Sequence, residues 1–255
     1  MSKQIYALEK GQGHPVVLIS GLGGLSSFWQ PVADRLGKDY RVITFDHPGV
    51  GRSSIEGPPT IPGIAAALLR ILNEKCIERA HLVGHSTGSL VTQTFALEHP
   101  KRVSSIVLSS GWARPDKRFQ DFFAYRKYLL AQLGGTAYTA LTRLVAYPSW
   151  WYGEHVAEPG ALNFAEPSVV DVDMTQARMD MLLSYTRRDE LSHLAVPTRV
   201  IGAEDDYVIP FHHSQELASL IPGAELIELS GGHFAPVTRT DAYTAVLKQF
   251  WESLE

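Results

Sequence analysis

The sequence predicts an α/β fold with a mostly parallel sheet that carries helices on both faces. Short apolar runs alternate along the chain with longer segments of helical spacing, which is the pattern of repeated β-α-β units. The run at 16–20 is apolar at four consecutive positions, as expected for a parallel strand covered on both sides. The chain has 255 residues and is 45% hydrophobic, enough to bury one such core.

The predicted elements follow this alternation in chain order. Strands are predicted where an apolar run is bounded by turn or charged residues, at 5–9, 16–20, 41–45, 80–83, 103–109, 197–203 and 225–229. Helices are predicted where apolar residues recur every three or four positions, at 28–36, 64–74, 90–99, 212–220 and 241–253. Because parallel strands end at one edge of the sheet, the loops that follow them are expected to meet there.

The strand pattern stops between residues 111 and 190, where aromatic residues are frequent. A helical insertion between two late strands would lie over the C-terminal edge of the sheet. We therefore predict a core of residues 1–110 and 191–255 and a helical cap of residues 111–190. Trp112, Tyr147 and Trp150 are candidate pocket residues, since aromatic rings can cover the apolar part of a ligand.

One predicted turn carries a candidate nucleophile. Ser86 lies between Gly84 and Gly88, after a predicted strand and before a predicted helix. A turn this tight leaves no room for side chains at the two flanking positions, so glycine fits both. A serine hydroxyl needs a base beside it and N–H donors for the oxyanion that it forms. The pattern therefore predicts a nucleophile elbow.

The base is expected in a loop near the end of the chain. His233 follows Gly231 and Gly232, directly after the last predicted strand. This loop, the loop at Ser86 and an acid-bearing loop after the strand at 197–203 all lie at carboxyl ends of parallel strands. His233 can then accept the proton of Ser86, while a buried carboxylate fixes its tautomer.

These motifs resemble the α/β-hydrolase superfamily over the whole chain. The resemblance is carried by the elbow at Ser86, the loop at 46–53, the acid-bearing loop before Pro210 and the pair Gly232-His233. The order of serine, acid and histidine along the chain is also that of α/β-hydrolases. The resemblance implies the α/β-hydrolase fold with the helical cap inserted between two late strands.

Shorter motifs are similar to one group within this superfamily, the aminoacrylate or carbamate hydrolases of pyrimidine degradation, with the 3-oxoadipate enol-lactonases as close cousins. These motifs lie in the second strand and in the cap, at 16–24, Gly111-Trp112, Tyr147-Pro148 and Trp150. The resemblance implies a cofactor-independent serine hydrolase with an acyl-enzyme on Ser86. Its substrate would be a small polar or carboxylated compound, cleaved at an amide, carbamate, enamine, ester or enol-lactone carbonyl.

Two adjacent aspartates stay open as the acid of the triad. Asp206 lies four residues before Pro210 and Asp205 lies three after Gly202, and each spacing resembles the acid loop of the superfamily. We prefer Asp206, because Ala203 ends the apolar strand and sets the count. The other aspartate is expected to cap a turn or to face water.

The oxyanion hole is expected to consist of the backbone N–H groups of Leu22 and Thr87. His85, next to the nucleophile, is expected to pack under the elbow. One or two cap arginines are expected to turn inward and bind a substrate carboxylate through paired hydrogen bonds, and the others to form a solvated face. The cap arginines are Arg114, Arg118, Arg126, Arg143, Arg178, Arg187 and Arg188.

Composition favours a small-molecule partner. Lys plus Arg total 23 and Asp plus Glu total 27, with no basic block, so neither nucleic acid nor an anionic membrane is expected to bind. No apolar run has the length of a signal-peptide core at the N-terminus or of a membrane span elsewhere. Cys76 is the only cysteine, which suits a reducing compartment, so we expect a cytoplasmic monomer or homodimer.

No metal and no cofactor are expected. The pair His212-His213 lies outside known metal-binding spacings, and adjacent residues on a helix are expected to point in different directions. The glycine-rich turn at 21–24 lacks a phosphate-binding signature. Two other classes of function stay open: a ligand receptor that keeps the triad, and a lyase or cofactor-free haloperoxidase on the same fold, because a fold does not fix a reaction.

Overall fold

A seven-stranded sheet organises the part of the chain that the computed structural model describes, residues 4–155 and 170–254. The strands are β1 (Ala7–Lys10), β2 (Pro15–Ile19), β3 (Arg41–Phe45), β4 (Ala80–His85), β5 (Val103–Ser109), β6 (Thr198–Ala203) and β7 (Glu225–Leu229). They lie in the order β1-β3-β2-β4-β5-β6-β7. Only β1 runs antiparallel to its neighbour within these described residues. The predicted mostly parallel sheet is confirmed.

Helices flank this sheet and fill the interval between β5 and β6. They are α1 (Gln30–Leu36), α2 (Ile61–Glu74), α3 (Thr87–Glu98), α4 (Lys117–Ala146), α5 (Ser149–His155), α6 (Val172–Ser184), α7 (His212–Leu220), α8 (Ala235–Thr238) and α9 (Thr240–Glu252). Among the helices of the described ranges, none is long and apolar enough to cross a membrane.

The side chains of each central strand pack on both faces of the sheet. In β2, Val17 and Ile19 join the apolar cluster that includes residues of α2 and α3. Val16 and Leu18 join a second cluster, with residues of α1 and α9. Because successive side chains of a strand point to opposite faces, the continuous apolar run of β2 is what a sheet covered on both sides requires.

The predicted cap corresponds to α4, α5 and α6, which follow β5 and precede β6. α4 packs against α6. α4 bends sharply at Gly134, whose φ of +78° is a backbone conformation that favours glycine. Residues 156–169 of the predicted cap lie outside the described residues.

Helix starts differ from the prediction at α1, α2 and α3, and α3 begins at Thr87 and not at residue 90. α2 begins at Ile61 and not at residue 64, because Thr60 Oγ1 accepts the N–H of Gly63 at 3.0 Å and Pro62 occupies the first turn. The helix predicted at 28–36 is divided, with a short 3-10 segment at Ser26–Trp29 before α1. The capping hydrogen bond and the 3-10 turn determine where α2 and α1 begin, and the spacing of apolar residues does not indicate either feature.

Candidate active site

Ser86 lies at a sharp turn between β4 and α3. Its backbone has φ +53° and ψ −117°, a conformation that costs on the order of 1–3 kcal/mol. The N–H of Ser86 donates to the carbonyl of Ser109 at 2.8 Å. A Cβ at Gly84 would lie 2.2 Å from the carbonyl oxygen of Gly88, and one at Gly88 would lie 2.1 Å from that of Ile19. Both flanking glycines are therefore required by the close approach of strand and helix.

Ser86, His233 and Asp206 form one continuous chain of hydrogen bonds. Ser86 Oγ lies 3.1 Å from His233 Nε2, and His233 Nδ1 lies 2.8 Å from Asp206 Oδ2. The three residues arrive from the loops after β4, β7 and β6, and each is at most 5% exposed. Such an imidazole can accept the serine proton at Nε2 while the carboxylate holds the Nδ1 proton and stabilises the imidazolium.

Asp206 is fixed from both of its oxygens. Oδ1 accepts the N–H groups of Val208 and Ile209, both at 2.8 Å. Oδ2 remains for Nδ1 of His233. These bonds orient the carboxylate before any substrate arrives, which is what a triad acid requires.

Asp205 binds the histidine loop instead of the histidine. Its carboxylate accepts the N–H groups of Gly231 and Gly232, each at 2.9 Å. This differs from the expectation that the second aspartate caps a turn or faces water. Asp205 therefore holds the loop that carries His233, while the structure brings Asp206 to its ring.

The two backbone N–H groups predicted for the oxyanion hole, those of Leu22 and Thr87, lie in turns next to Ser86. Thr87 is the first residue of α3, so its N–H is among the four that have no carbonyl partner inside the helix. Leu22 lies in the turn after β2, which is closed by a bond from the N–H of Gly24 to the carbonyl of Gly21 at 3.0 Å. Leu22 and Ser86 line the same cavity. Both N–H groups stay candidates for stabilising an oxyanion.

An arginine of the cap donates a hydrogen bond to the turn that contains Leu22. Arg178, on α6, is 2% exposed, and its Nε donates to the carbonyl of Leu22 at 2.7 Å. Its Nη2 donates to Nδ1 of His47 at 2.8 Å. Burial lowers the pKa of Arg178 to about 10. Burial and the nearby guanidinium hold the pKa of His47 well below its usual value, which keeps Nδ1 free to accept.

A cavity of about 290 Å³ lies beside Ser86. This volume suits a small ligand. Three phenylalanine rings and the glycine-rich turn after β2 form much of the wall, and Arg126 and Tyr138 enter it from α4. The lining side chains that follow that turn in the sequence, besides Ser86, are Leu25, Ser27, Phe28, His85, Phe123, Arg126, Tyr138, Thr142, Val208, His233 and Phe234.

The three aromatic residues predicted to face the pocket lie outside this wall. Trp112 is fully buried and packs against Phe119, with ring centroids 4.7 Å apart. Tyr147 stacks on a tryptophan of α5 at 4.3 Å. Trp150 is 39% exposed and lies 4.2 Å from the guanidinium of Arg239. Their position in a sequence motif does not determine which side of the cap each ring faces.

His85 lies in the cavity wall as well as beside the elbow. Its ring stacks on Phe28 at 5.0 Å, and its centroid is 4.9 Å from that of His233. Burial, with a smaller contribution from His233, holds the pKa of His85 well below its usual value. The ring therefore supports His233 without adding a positive charge next to it.

One group of possible metal ligands, Asp116, His212 and His213, occurs in the described ranges. The Nε2 atoms of the two histidines lie 3.0 and 3.4 Å from Oδ2 of Asp116. The expectation that adjacent histidines point apart does not hold for this pair, since both rings reach one carboxylate. None of the three residues lines the cavity beside Ser86.

Comparison with known proteins identifies the family. A family profile described as the alpha/beta hydrolase fold matches residues 14–240. The chain belongs to the α/β-hydrolase family. The predictions of an α/β-hydrolase fold and of a hydrolase enzyme are thereby confirmed.

Two relatives of this α/β-hydrolase share most of its length. A protein of Azorhizobium caulinodans named carbamate hydrolase RutD is 34% identical over 252 residues, covering 96% of this chain and 94% of the relative. A protein of the same name from Pseudomonas syringae pv. syringae is 33% identical over 256 residues, covering 98% of each chain.

Solved α/β-hydrolase structures superpose over nearly the whole chain. The enol-lactonase from Burkholderia xenovorans LB400 has a TM-score of 0.87 at 24% identity, covering 98% of this chain and 97% of that one. A Mycobacterium tuberculosis protein named as the non-heme bromoperoxidase BpoC also has a TM-score of 0.87, at 27% identity, covering 100% of this chain and 98% of that one. The shared fold extends to proteins with different reactions in their names.

Proposed function

We propose that this α/β-hydrolase is a cofactor-independent serine hydrolase that cleaves the C–N or C–O bond at the carbonyl carbon of a small carbamate, amide, ester or lactone. The observation that carries the proposal is the hydrogen-bonded chain from Ser86 through His233 to Asp206, beside a cavity of small-molecule size. Relatives named as carbamate hydrolases, at 33–34% identity, support the bond type.

The reaction proceeds through an acyl-enzyme in this proposal. Ser86 Oγ attacks the carbonyl carbon as His233 Nε2 takes its proton, and the N–H groups of Leu22 and Thr87 stabilise the oxyanion. His233 then gives the proton to the departing nitrogen or oxygen. In the second half, His233 takes a proton from water as the water oxygen attacks the acyl carbon, and it then returns that proton to Ser86 Oγ as the acyl–oxygen bond breaks. Asp206 stabilises the imidazolium in both halves.

We also propose that the enzyme works in the cytoplasm on a free small molecule. Cys76 is the only cysteine, which suits a reducing compartment. The net charge of −4, without a basic block, gives no support for a nucleic-acid partner.

Labelling with a fluorophosphonate probe tests the nucleophile. We expect the label on Ser86 by mass spectrometry, together with many turnovers of a short ester. Ser86→Ala should lose the label and lower kcat by at least about 10³-fold, with thermal unfolding unchanged because the smaller side chain fits the elbow. Ser89→Ala is the matched control, since Ser89 is buried in the first turn of α3, three residues after Ser86, but lies outside the hydrogen-bonded chain.

Other outcomes of this labelling discriminate between the classes of function. Label on Ser86 without turnover of any carbonyl compound would favour a ligand receptor over a hydrolase. Label on a different serine, or full activity of Ser86→Ala, would refute the assignment of the nucleophile.

A further inference from the structure

Arg126 places a buried positive charge in the wall of the cavity beside Ser86. It lies on α4 and is 4% exposed. Among the described residues that form this wall, no other is Lys, Arg, Asp or Glu. Burial lowers the pKa of Arg126, but a guanidinium remains protonated at physiological pH. Among the described residues of the wall, Arg126 is therefore the one fixed charge, with no charge of opposite sign beside it.

The hydrogen-bond partners and aromatic neighbours that Arg126 has in the described part of the chain are neutral. Its Nη2 donates to the hydroxyl of Tyr138 at 2.7 Å and to that of Thr142 at 2.9 Å. The rings of Phe122, Phe123 and Tyr138 lie 5.5, 5.1 and 4.7 Å from the guanidinium carbon. Nε is buried and has no hydrogen-bond partner in the described part of the chain. A buried cation without a counter-ion is unfavourable, and a bound anion would offset that cost.

The bend of α4 holds this guanidinium in place. Tyr138 and Thr142 follow Arg126 by 12 and 16 residues, which would separate them by about 18 and 24 Å along a straight helix. They reach Arg126 because α4 turns back at Gly134. The guanidinium is thus oriented by side chains of its own helix before a ligand binds, a feature of preorganised binding sites.

Arg178 does not offer an equivalent site. It is also buried, but its guanidinium is bonded to the carbonyl of Leu22 and to His47. It does not line the cavity beside Ser86. The charge that faces the substrate space is therefore that of Arg126.

We propose that Arg126 binds a carboxylate of the substrate and makes the enzyme select anionic carbonyl compounds over neutral ones of the same size. The inference rests on the proposed serine hydrolase function. The carboxylate is held at the α4 side of the cavity while the scissile carbonyl lies at Ser86. The rings of Phe28, Phe123 and Phe234 cover the apolar chain between them.

Two methyl esters with acyl chains of the same length test the selectivity: monomethyl succinate, which is anionic, and methyl butyrate, which is neutral, both followed by pH-stat. Arg126→Met should lower kcat/KM for monomethyl succinate by about 30- to 1000-fold, the usual effect of removing one partner of a buried charge pair. Its kcat/KM for methyl butyrate should change by less than about threefold, because the acyl transfer machinery is untouched. A merely structural role of Arg126 would lower both values together.

Arg118→Met is the matched control. Arg118 lies on the same helix, but its Nη2 donates to the carbonyl of Tyr207 and it is not part of the cavity wall. This variant should leave the ratio of the two kcat/KM values unchanged. Arg126→Lys, which keeps the charge without the planar fork, should recover part of the preference for monomethyl succinate.

Protection of Ser86 from the fluorophosphonate gives a second readout that needs no turnover. Succinate should slow the labelling of wild-type Ser86, and succinamide, which is neutral and of the same size, should not. Protection by succinate should be lost in Arg126→Met, with thermal unfolding to check that the variant is folded. If the variant does not fold, the comparison of succinate with succinamide on the wild type decides.

The outcomes separate the two proposals. Labelling of Ser86 with equal protection by both compounds, or an unchanged ester ratio in folded Arg126→Met, overturns the carboxylate site and leaves the hydrolase standing. An absence of labelling on Ser86 overturns the proposed function and the carboxylate site with it.

Discussion

The core and the cap contribute to the candidate site in different ways. The core supplies Ser86, His233 and Asp206 from loops after three strands, joined in one chain of hydrogen bonds. The cap supplies Arg126 and Arg178 from two helices, both buried and each bonded to neutral groups. Under the proposed function, the core therefore performs the chemistry, while the cap selects the substrate through Arg126 and holds the turn that contains Leu22 through Arg178.

The two cap arginines also differ from each other. Arg178 reaches across to the core and bonds the carbonyl of Leu22, so it belongs functionally with the core. Arg126 bonds only residues of its own helix among those described and faces the cavity. Substitution of Arg178 should therefore lower activity on all substrates, and substitution of Arg126 should lower activity only on anionic substrates.

The largest effect is expected at the acid of the core. Asp206→Asn should lower kcat about 10⁴-fold for anionic and neutral esters alike, because an amide cannot hold the productive tautomer of His233. Asp205→Asn should lower kcat by less than about tenfold, since an amide oxygen can still accept hydrogen bonds from the N–H groups of Gly231 and Gly232. Measuring kcat of both variants on both esters checks the ranking. Equal losses would show that orienting the loop matters as much as orienting the ring.

A smaller effect is expected at the arginine that joins cap and core. Arg178→Met should lower kcat/KM by about 10- to 100-fold for both esters, less than the loss of a whole oxyanion donor, because the Leu22 turn is loosened and not removed. The kcat/KM values of Arg178→Met and Arg126→Met on the same two esters provide the check. If Arg178→Met lost kcat/KM only for the anionic ester, the different roles proposed for the two arginines would be contradicted.

The smallest effect concerns the stability of the core and not its chemistry. His81, on β4, is 9% exposed with Nδ1 2.7 Å from Ser105 Oγ, and burial lowers its pKa to about 3. The unfolded chain binds a proton near pH 6.5, so stability is constant above that pH and falls as the pH decreases from 6.5 toward 3. Protonation of His81 in the unfolded chain should lower the free energy of unfolding at pH 5 by at most about 2 kcal/mol.

Thermal unfolding of wild type and His81→Gln at pH 7.5 and pH 5 measures this contribution of His81. The variant should lose less stability between the two conditions than the wild type. The same pH dependence in both proteins would mean that another group accounts for the acid sensitivity. The ratio of activities on the two esters should not change, because His81 is not in the cavity wall.

Local patterns predict the core part of the site well. A side chain at Gly84 would clash with the backbone of Gly88, and one at Gly88 would clash with the backbone of Ile19 in β2. The spacing of these two glycines points to Ser86 from sequence alone. His233 and Asp206 follow strand ends, and parallel strands end at a common edge. The sequence thus predicts residues that the structure brings into hydrogen-bonding distance, while their roles in catalysis stay predictions.

The cap part of the site depends on information that no local pattern contains. The bond from Arg178 to Leu22 joins positions 156 residues apart. The place of Arg126 depends on the turn of α4 at Gly134, and on which face of each half-helix meets the core. Trp150 illustrates the opposite error, since a ring in a recognisable motif packs under Arg239 and not in the cavity.

The bond between Arg178 and the carbonyl of Leu22 couples the attachment of the cap to the geometry of the Leu22 turn. If an attached cap favours the oxyanion-binding geometry of the Leu22 turn, then thermodynamic reciprocity requires an oxyanion in that turn to favour the attached cap by the same free energy. A tetrahedral intermediate on Ser86 would therefore tighten α6 against the core. The contact between α6 and the core would be strongest while the tetrahedral intermediate is present, and it would weaken when the product leaves.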